Sequence, residues 1–386
     1  MKYKTIQNVS FRNKRVLLRL DLDVPLKNNR VVDDSRLKNS LPTLKYLSQQ
    51  QATIIIIGYL GRPNGKRVSS LSLKPVCEAL AKMMKQTIVF VSDCKGKQVR
   101  VQVHKAQPQS ILMLENLRFH PQEEENDLSF AIELSSLADV FVNDSFATMH
   151  RSYAGIIGVT KYIPSYMGLS ADKEIQELTK IHNPKRPLVV ILGGAKVSDK
   201  IETLRSLCKK ADFLLVCGAM MFAFLKAQKY DVGISMLDTQ GVPLAKKLLH
   251  KKNILLPLDV VVAKNRTSKS KIVPVTKIPI NMAGFDIGPA TIQKYIRVIK
   301  RARTVFWNGP AGLAEIRAFS EGTNALATAI AKLHATTIIC GGDTHAAIRK
   351  LRMQSKYTHI SLGGGASLEF LSGKKLPGIR ALEKKS

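Results

Sequence analysis

Ile191-Leu192-Gly193-Gly194-Ala195-Lys196-Val197-Ser198-Asp199-Lys200 is the stretch on which the rest of this 386-residue chain turns. It follows the apolar run Leu188-Val189-Val190-Ile191, which reads as a buried parallel strand. It precedes Ile201-Glu202-Thr203-Leu204, which resumes with helical spacing. Two glycines at a strand-to-helix turn let the backbone approach a ligand closely, and the helix N-terminus offers unpaired N–H groups to phosphate. Lys196 and Lys200 stand one helical turn apart, so both ammonium groups can face the same anion. The plainer alternative is a strand edge with solvated lysines, and what lies on either side decides between them. The segment Asn183-Pro184-Lys185-Arg186-Pro187 just before it stops a helix near mid-chain.

The length exceeds one ordinary core and predicts two domains of comparable size. Apolar residues make up 45%, and no stretch approaches a membrane span. Residues 1–7 carry no apolar segment of a secretory signal. The five cysteines, Cys77, Cys94, Cys208, Cys217 and Cys340, are scattered without a C-x-x-C pair. Reduced thiols in a cytoplasmic protein are expected, not a disulfide framework or a zinc site. The net charge of +31 admits a nucleic-acid-binding patch or merely lysine-rich solvated faces. Aromatics are only 6%, the basic residues are spread along the chain, and no finger or basic zipper occurs. No specific nucleic-acid partner is expected; the charge serves to steer anionic substrates.

In the first half, four apolar strands are predicted at Arg15-Val16-Leu17-Leu18-Arg19-Leu20, Thr53-Ile54-Ile55-Ile56-Ile57, Ile111-Leu112-Met113-Leu114 and Val140-Phe141-Val142. Each ends in a loop carrying an arginine: Arg36, Arg62, Arg118 and Arg151. A parallel sheet sends all these loops to one edge, where guanidinium groups can converge on phosphate or carboxylate. Four unrelated surface arginines are the alternative. Asp33-Asp34-Ser35-Arg36 is expected to open a helix with an acidic first turn.

The second half repeats the pattern with glycine in place of arginine. Strands at 188–191, 213–217, 254–263, 304–307, 336–340 and 360–362 end in small-residue turns such as Gly218-Ala219, Gly309-Pro310, Gly341-Gly342 and Gly363-Gly364-Gly365. Phe285-Asp286-Ile287-Gly288-Pro289-Ala290-Thr291 is expected to be a loop entering the helix that holds Tyr295 and Ile299. Bare amides at such turns suit a polyphosphate, and Asp343 can hold Mg²⁺ beside phosphate oxygens. N-capping is the rival role for Asp343 and Thr344. Familiar nucleotide motifs fail: Gly61-Arg62-Pro63-Asn64-Gly65-Lys66-Arg67 is one residue short of a P-loop, and no protein-kinase set is present.

Taken together, Arg19 to Pro25, Leu60-Gly61-Arg62-Pro63, Glu115-Asn116-Leu117-Arg118-Phe119, Val142-Asn143-Asp144, Leu192 to Lys200, Trp307-Asn308-Gly309-Pro310, Gly341-Gly342-Asp343-Thr344 and Gly363 to Glu369 resemble the phosphoglycerate kinase family. The resemblance implies two doubly wound, Rossmann-like α/β parallel-sheet domains joined by a hinge. It implies phosphoglycerate binding in residues 1–170, an interdomain helix at 171–184, nucleotide binding in 185–370, and a return of 371–386 to the first domain. The implied activity is reversible acyl-phosphate transfer from 1,3-bisphosphoglycerate to ADP with Mg²⁺, by a cytoplasmic monomer.

Residue by residue, the resemblance assigns Asp21, Arg36, Arg62, Arg118 and Arg151 to phosphoglycerate. Asp23 and Tyr59 join them where the family normally has asparagine and histidine. Lys200, Asn308, Pro310, Glu315, Gly341, Gly342, Asp343 and Thr344 fall to the nucleotide and its metal. Arg36, Lys196 and Lys200, with amides at Gly364 and Gly365, fall to the phosphoryl group in transit. An extra carboxylate at Asp23 should repel an anionic substrate unless it is paired or protonated. A degenerate anion-binding homologue and a kinase for a different acyl phosphate are the competing readings.

Overall fold

The structure is a computed structural model that describes residues 3–7, 9–194 and 201–383. The chain divides into two compact units, Met1–Gln176 with Lys375–Ser386, and Glu177–Lys374.

In the first unit, β1 (Arg15–Arg19) is followed by a short antiparallel pair, β2 (Leu26–Lys27) and β3 (Arg30–Val31). Asn28 and Asn29 turn that pair at φ of 50° and 53°, the left-handed values of a two-residue hairpin. Then come β4 (Thr53–Ile57), β5 (Ile88–Val91), β6 (Ile111–Leu114), β7 (Val140–Asn143) and β8 (Ser165–Met167). Six of these form a sheet in the order β5-β6-β4-β1-β7-β8, parallel at every pairing.

The unbroken apolar runs follow from burial on both faces. Leu18, Ile54 and Ile56 face one hydrophobic cluster with Leu37 and Leu44, while Leu17, Ile55 and Ile57 face another with Phe130 and Leu134. The edge strands β5 and β8 are additions to the four predicted strands. The helix Ser35–Gln49 starts later than expected, so its first turn holds no acid. Asp33 instead accepts from the Ser35 amide at 3.0 Å and the Ser35 hydroxyl at 2.6 Å. The short helix Pro377–Arg380 returns to this unit through Gly378 N–H to Met149 O, 2.9 Å. Tyr3 then bridges Glu383 antiparallel.

The second unit holds β9 (Leu188–Leu192), β10 (Phe213–Val216), β11 (Ile254–Leu255), β12 (Asp259–Ala263), β13 (Lys271–Pro274), β14 (Ala283–Ile287), β15 (Thr304–Asn308), β16 (Thr336–Cys340) and β17 (His359–Ser361). Its main sheet runs β11-β10-β9-β15-β16-β17, again all parallel. This is the doubly wound order, with connections leaving β9 and β15 in opposite directions. In the first sheet the same reversal falls between β1 and β7.

Two expectations are corrected here. The single strand over 254–263 is two, because the chain leaves the main sheet around Pro257 and β12 joins a separate antiparallel sheet, β13-β12-β14. The expected loop at 285–291 is the end of β14 followed by the helix Pro289–Ile299. All five cysteines are buried and none forms a disulfide. Among the described residues no helix is long and apolar enough to cross a membrane.

Asp286, 1% exposed at the end of β14, accepts from the amides of Ile287 at 2.9 Å and Gly322 at 2.8 Å. Burial pushes its carboxyl up to about 7, against those hydrogen bonds. The folded state therefore holds a proton that the unfolded state has released across the window from the ordinary carboxylate value to about 7. Stability should fall as pH rises through that window, by on the order of 1 kcal/mol per pH unit from this group, and level off above it. Urea unfolding followed by the fluorescence of Trp307, the single tryptophan, checks this. Asp286→Asn should remove that share of the slope.

Candidate active site

The first unit's sheet edge is held by a chain of polar contacts. Arg36, from the first turn of helix Ser35–Gln49, donates from Nη1 to both Asp21 oxygens at 2.6 Å. Burial would lower its pKa; Asp21 outweighs that and raises it, so the guanidinium stays charged. Asp23 accepts the Gly61 amide at 2.9 Å, so this carboxylate is engaged by the loop after β4.

Arg118 comes from the 3₁₀ turn Leu117–Phe119 after β6. Asn116 shapes that turn: its Oδ1 accepts the Arg118 amide at 3.1 Å, and its Nδ2 donates to Leu60 O and Leu71 O at 2.7 and 2.9 Å. The Arg118 side chain donates to Gly61 O at 2.8 Å and to the Tyr153 hydroxyl at 3.2 Å, and pairs with Glu124 at 3.0 Å. Arg62 and Arg151 are exposed, and among the described residues no side-chain hydrogen bond or ion pair ties either to this group. The structure thus joins Asp21 to Arg36, and Asp23 through Gly61 to Arg118.

Sequence reasoning passed over Arg19 and Glu123. Arg19 Nη1 pairs with Glu123 Oε1 at 2.6 Å, both side chains being fully buried. Glu123 Oε2 also accepts the Gly155 amide at 2.8 Å. The signal was present, since an arginine inside the run Leu17-Leu18-Arg19-Leu20 has to find a buried partner.

The second unit's edge is built from backbone. Gly193 N–H donates to Asn308 O at 2.9 Å, where the loops after β9 and β15 meet. A Cβ on Gly193 would lie 2.1 Å from Pro310 O, and one on Gly309 (φ +90°) would lie 2.4 Å from Gly193 C. Only glycine permits that approach. The Gly309 amide donates to the Thr344 hydroxyl at 2.9 Å, so Thr344 ties two turns together and does not cap its helix, the rival role. Asn308 is buried, and its Oδ1 has no hydrogen-bond partner among the described residues.

A cavity of about 480 Å³ opens beside these turns, lined by Gly218, Pro310, Glu315 and Asp343 and, unforeseen from sequence, by Phe285 and Leu313. Its apolar wall with a few polar groups is the make-up of a small-molecule site. Gly341 and Gly342 open the helix Gly342–Lys350, and Gly364 precedes the helix Gly365–Leu371. Lys196 and Lys200 lie outside the described residues.

A family model for phosphoglycerate kinase matches residues 6–374. The chain belongs to the phosphoglycerate kinase family. It is 44% identical over 390 residues to the phosphoglycerate kinase of Pelotomaculum thermopropionicum, with 99% of each chain covered. It is 45% identical over 389 residues to that of Moorella thermoacetica, at the same coverage. Among solved structures it is similar to phosphoglycerate kinase from Coxiella burnetii, with TM-score 0.87, 38% identity and 98% of each chain covered. The Pyrococcus horikoshii enzyme gives TM-score 0.89, 30% identity and the same coverage. As a member of this family the chain is a glycolytic phosphotransferase. It exchanges a phosphoryl group reversibly between 1,3-bisphosphoglycerate with ADP and 3-phosphoglycerate with ATP.

The glycine contacts separate packing from access. Gly193→Ala should cost about 3 kcal/mol through the clash with Pro310. Gly342→Ala, whose Cβ would meet nothing within 4 Å, should stay within about 0.5 kcal/mol of the parent. Urea unfolding read at Trp307 distinguishes them.

Proposed function

We propose that the first unit's edge holds phosphoglycerate through Arg36, Arg62, Arg118 and Arg151, with Asp21, Asp23 and Tyr59 arranging them. The second unit's edge holds the nucleotide through Lys200, Asn308, Pro310, Glu315, Gly341, Gly342, Asp343 and Thr344. The observation that carries this reading is the contrast between two switch-point edges. One is lined by charged forks and the other by close-packed glycine turns around a cavity.

Asp343 is exposed on the cavity wall in the first turn of its helix. One carboxylate completed by phosphate oxygens and water is a donor set that Mg²⁺ accepts, so these residues fit the metal. Bound with the nucleotide, Mg²⁺ neutralises phosphate charge.

The chain's own part is positioning. The carboxylate of 3-phosphoglycerate is already an anionic nucleophile, so in-line transfer needs no covalent intermediate and no dedicated base. Arg36 and Lys196, with Lys200 and the amides of Gly364 and Gly365, meet the charge on the phosphoryl group in transit. Substrates held on separate units must be brought together, and a hinge in residues 171–184 supplies that closure while excluding water from the acyl phosphate. The enzyme works as a cytoplasmic monomer.

The test is phosphoryl transfer from ATP to 3-phosphoglycerate with Mg²⁺. Arg36→Ala should lose about 10²–10³-fold in kcat. Asp343→Asn should raise the Mg²⁺ concentration for half-maximal rate about tenfold, the loss of one anionic ligand at about 1.4 kcal/mol. An Arg36→Ala rate within twofold of the parent would sink the assignment of that edge.

A further inference from the structure

Tyr59 stands in the loop after β4, half-buried, with a cation on its ring and a second nearby. The Arg118 guanidinium carbon lies 3.6 Å from the ring centroid, in stacking contact. That of the fully buried Arg19 lies 5.7 Å from the same centroid. Arg19 spends one nitrogen on Glu123, and its Nε and Nη2 have no hydrogen-bond partner among the described residues. A ring quadrupole attracts a cation most where water is excluded, so this ring offsets part of the cost of burying Arg19. Burial raises the Tyr59 phenol, with Arg118 pulling the other way, so the ring remains a neutral phenol at physiological pH.

Arg118 is held from several sides at once. Gly61 O and the Tyr153 hydroxyl accept from its two Nη groups, Glu124 pairs with it at Nε, and Tyr59 covers one face. The Tyr153 hydroxyl itself donates to Glu124 at 2.9 Å, so two of these partners are tied to one another. Those contacts alone leave a guanidinium free to tilt out of its plane. The ring removes that freedom.

We propose that Tyr59 is a positioning residue: its ring face sets the orientation of Arg118 for the anionic substrate, and its hydroxyl makes no essential substrate contact. This rests on the assignment of Arg118 to phosphoglycerate. It gives the residue that replaces the family's usual histidine a different role from direct ligation.

The experiment is steady-state kinetics on Tyr59→Phe, Tyr59→Leu, Arg118→Ala and the Tyr59→Leu/Arg118→Ala double variant, with melting temperatures for each. Tyr59→Leu should raise KM for 3-phosphoglycerate about tenfold, a cation–π contact's share, while KM for ATP moves less than twofold. Tyr59→Phe keeps the face and should raise it less than threefold. In the Arg118→Ala background, Tyr59→Leu should add less than twofold, because its target is gone. If Tyr59→Leu does not fold, Tyr59→Met takes its place. Tyr59→Phe matching Tyr59→Leu would make the hydroxyl the working group and overturn the inference. So would a full additional loss in the Arg118→Ala background. Arg118→Ala raising KM while Tyr59→Leu leaves it alone overturns the platform only. Arg118→Ala without effect on KM overturns the phosphoglycerate edge and the platform together.

Discussion

Parallel strand pairing is the constraint on which the functional edges depend. In each six-stranded sheet every strand ends on the same side, so loops far apart in sequence open onto one edge. The reversal of connection between β1 and β7, and again between β9 and β15, splits the helices to opposite faces and leaves a crevice at that point. Asp21 and Arg36 follow β1. Gly193 follows β9, and Gly309 with Pro310 follows β15. An inverted strand would carry its loop to the wrong side, so the buried apolar runs fix the location of the chemistry before any polar residue acts.

The two edges are built by different means. In the first unit Arg36 and Arg118 are already paired. Asp21 braces Arg36, and the Gly61 loop joins Asp23 to Arg118 through its amide and its carbonyl. Ion pairs of this kind are weak evidence for stability, since desolvation offsets most of the attraction. What they supply is orientation, because long arginine side chains lose little further freedom when a substrate arrives. The second unit uses main chain. Its turns approach so closely that Cβ atoms are excluded, and the amides need no rotamer to be fixed.

Most of the architecture was legible because it rests on hydrophobic periodicity. All six strands of the second sheet and the four central strands of the first announce themselves as apolar runs. The edge strand β5, Ile88-Val89-Phe90-Val91, is apolar too, but it is only four residues long and Val89 is 49% exposed, as befits a strand with one free edge. Strand β14 reads as a loop in sequence because it carries Gly284 and Asp286, residues that usually mark loops, and β12 reads as one strand with β11 because both are apolar. Here Asp286 is buried because two backbone amides donate to it and Gly312 and Gly322 leave room for it. Among site residues, Arg36, Arg118, Asp343 and the glycine turns were named from sequence. Glu123 and the stacked Tyr59 face were not, because cross-loop pairing and ring orientation leave no periodic trace.

The return of the last residues to the first unit has a consequence for the order of events during synthesis. Strand β1 emerges early, yet the partner of the Met149 carbonyl, Gly378, and the partner of Tyr3, Glu383, are translated only after the whole second unit. The second unit is continuous in sequence and can complete itself while the chain is still growing. The first unit waits for Gly378 and Glu383. A stop between residues 374 and 378 would therefore leave a second unit whole in sequence attached to a first one that lacks both of these contacts.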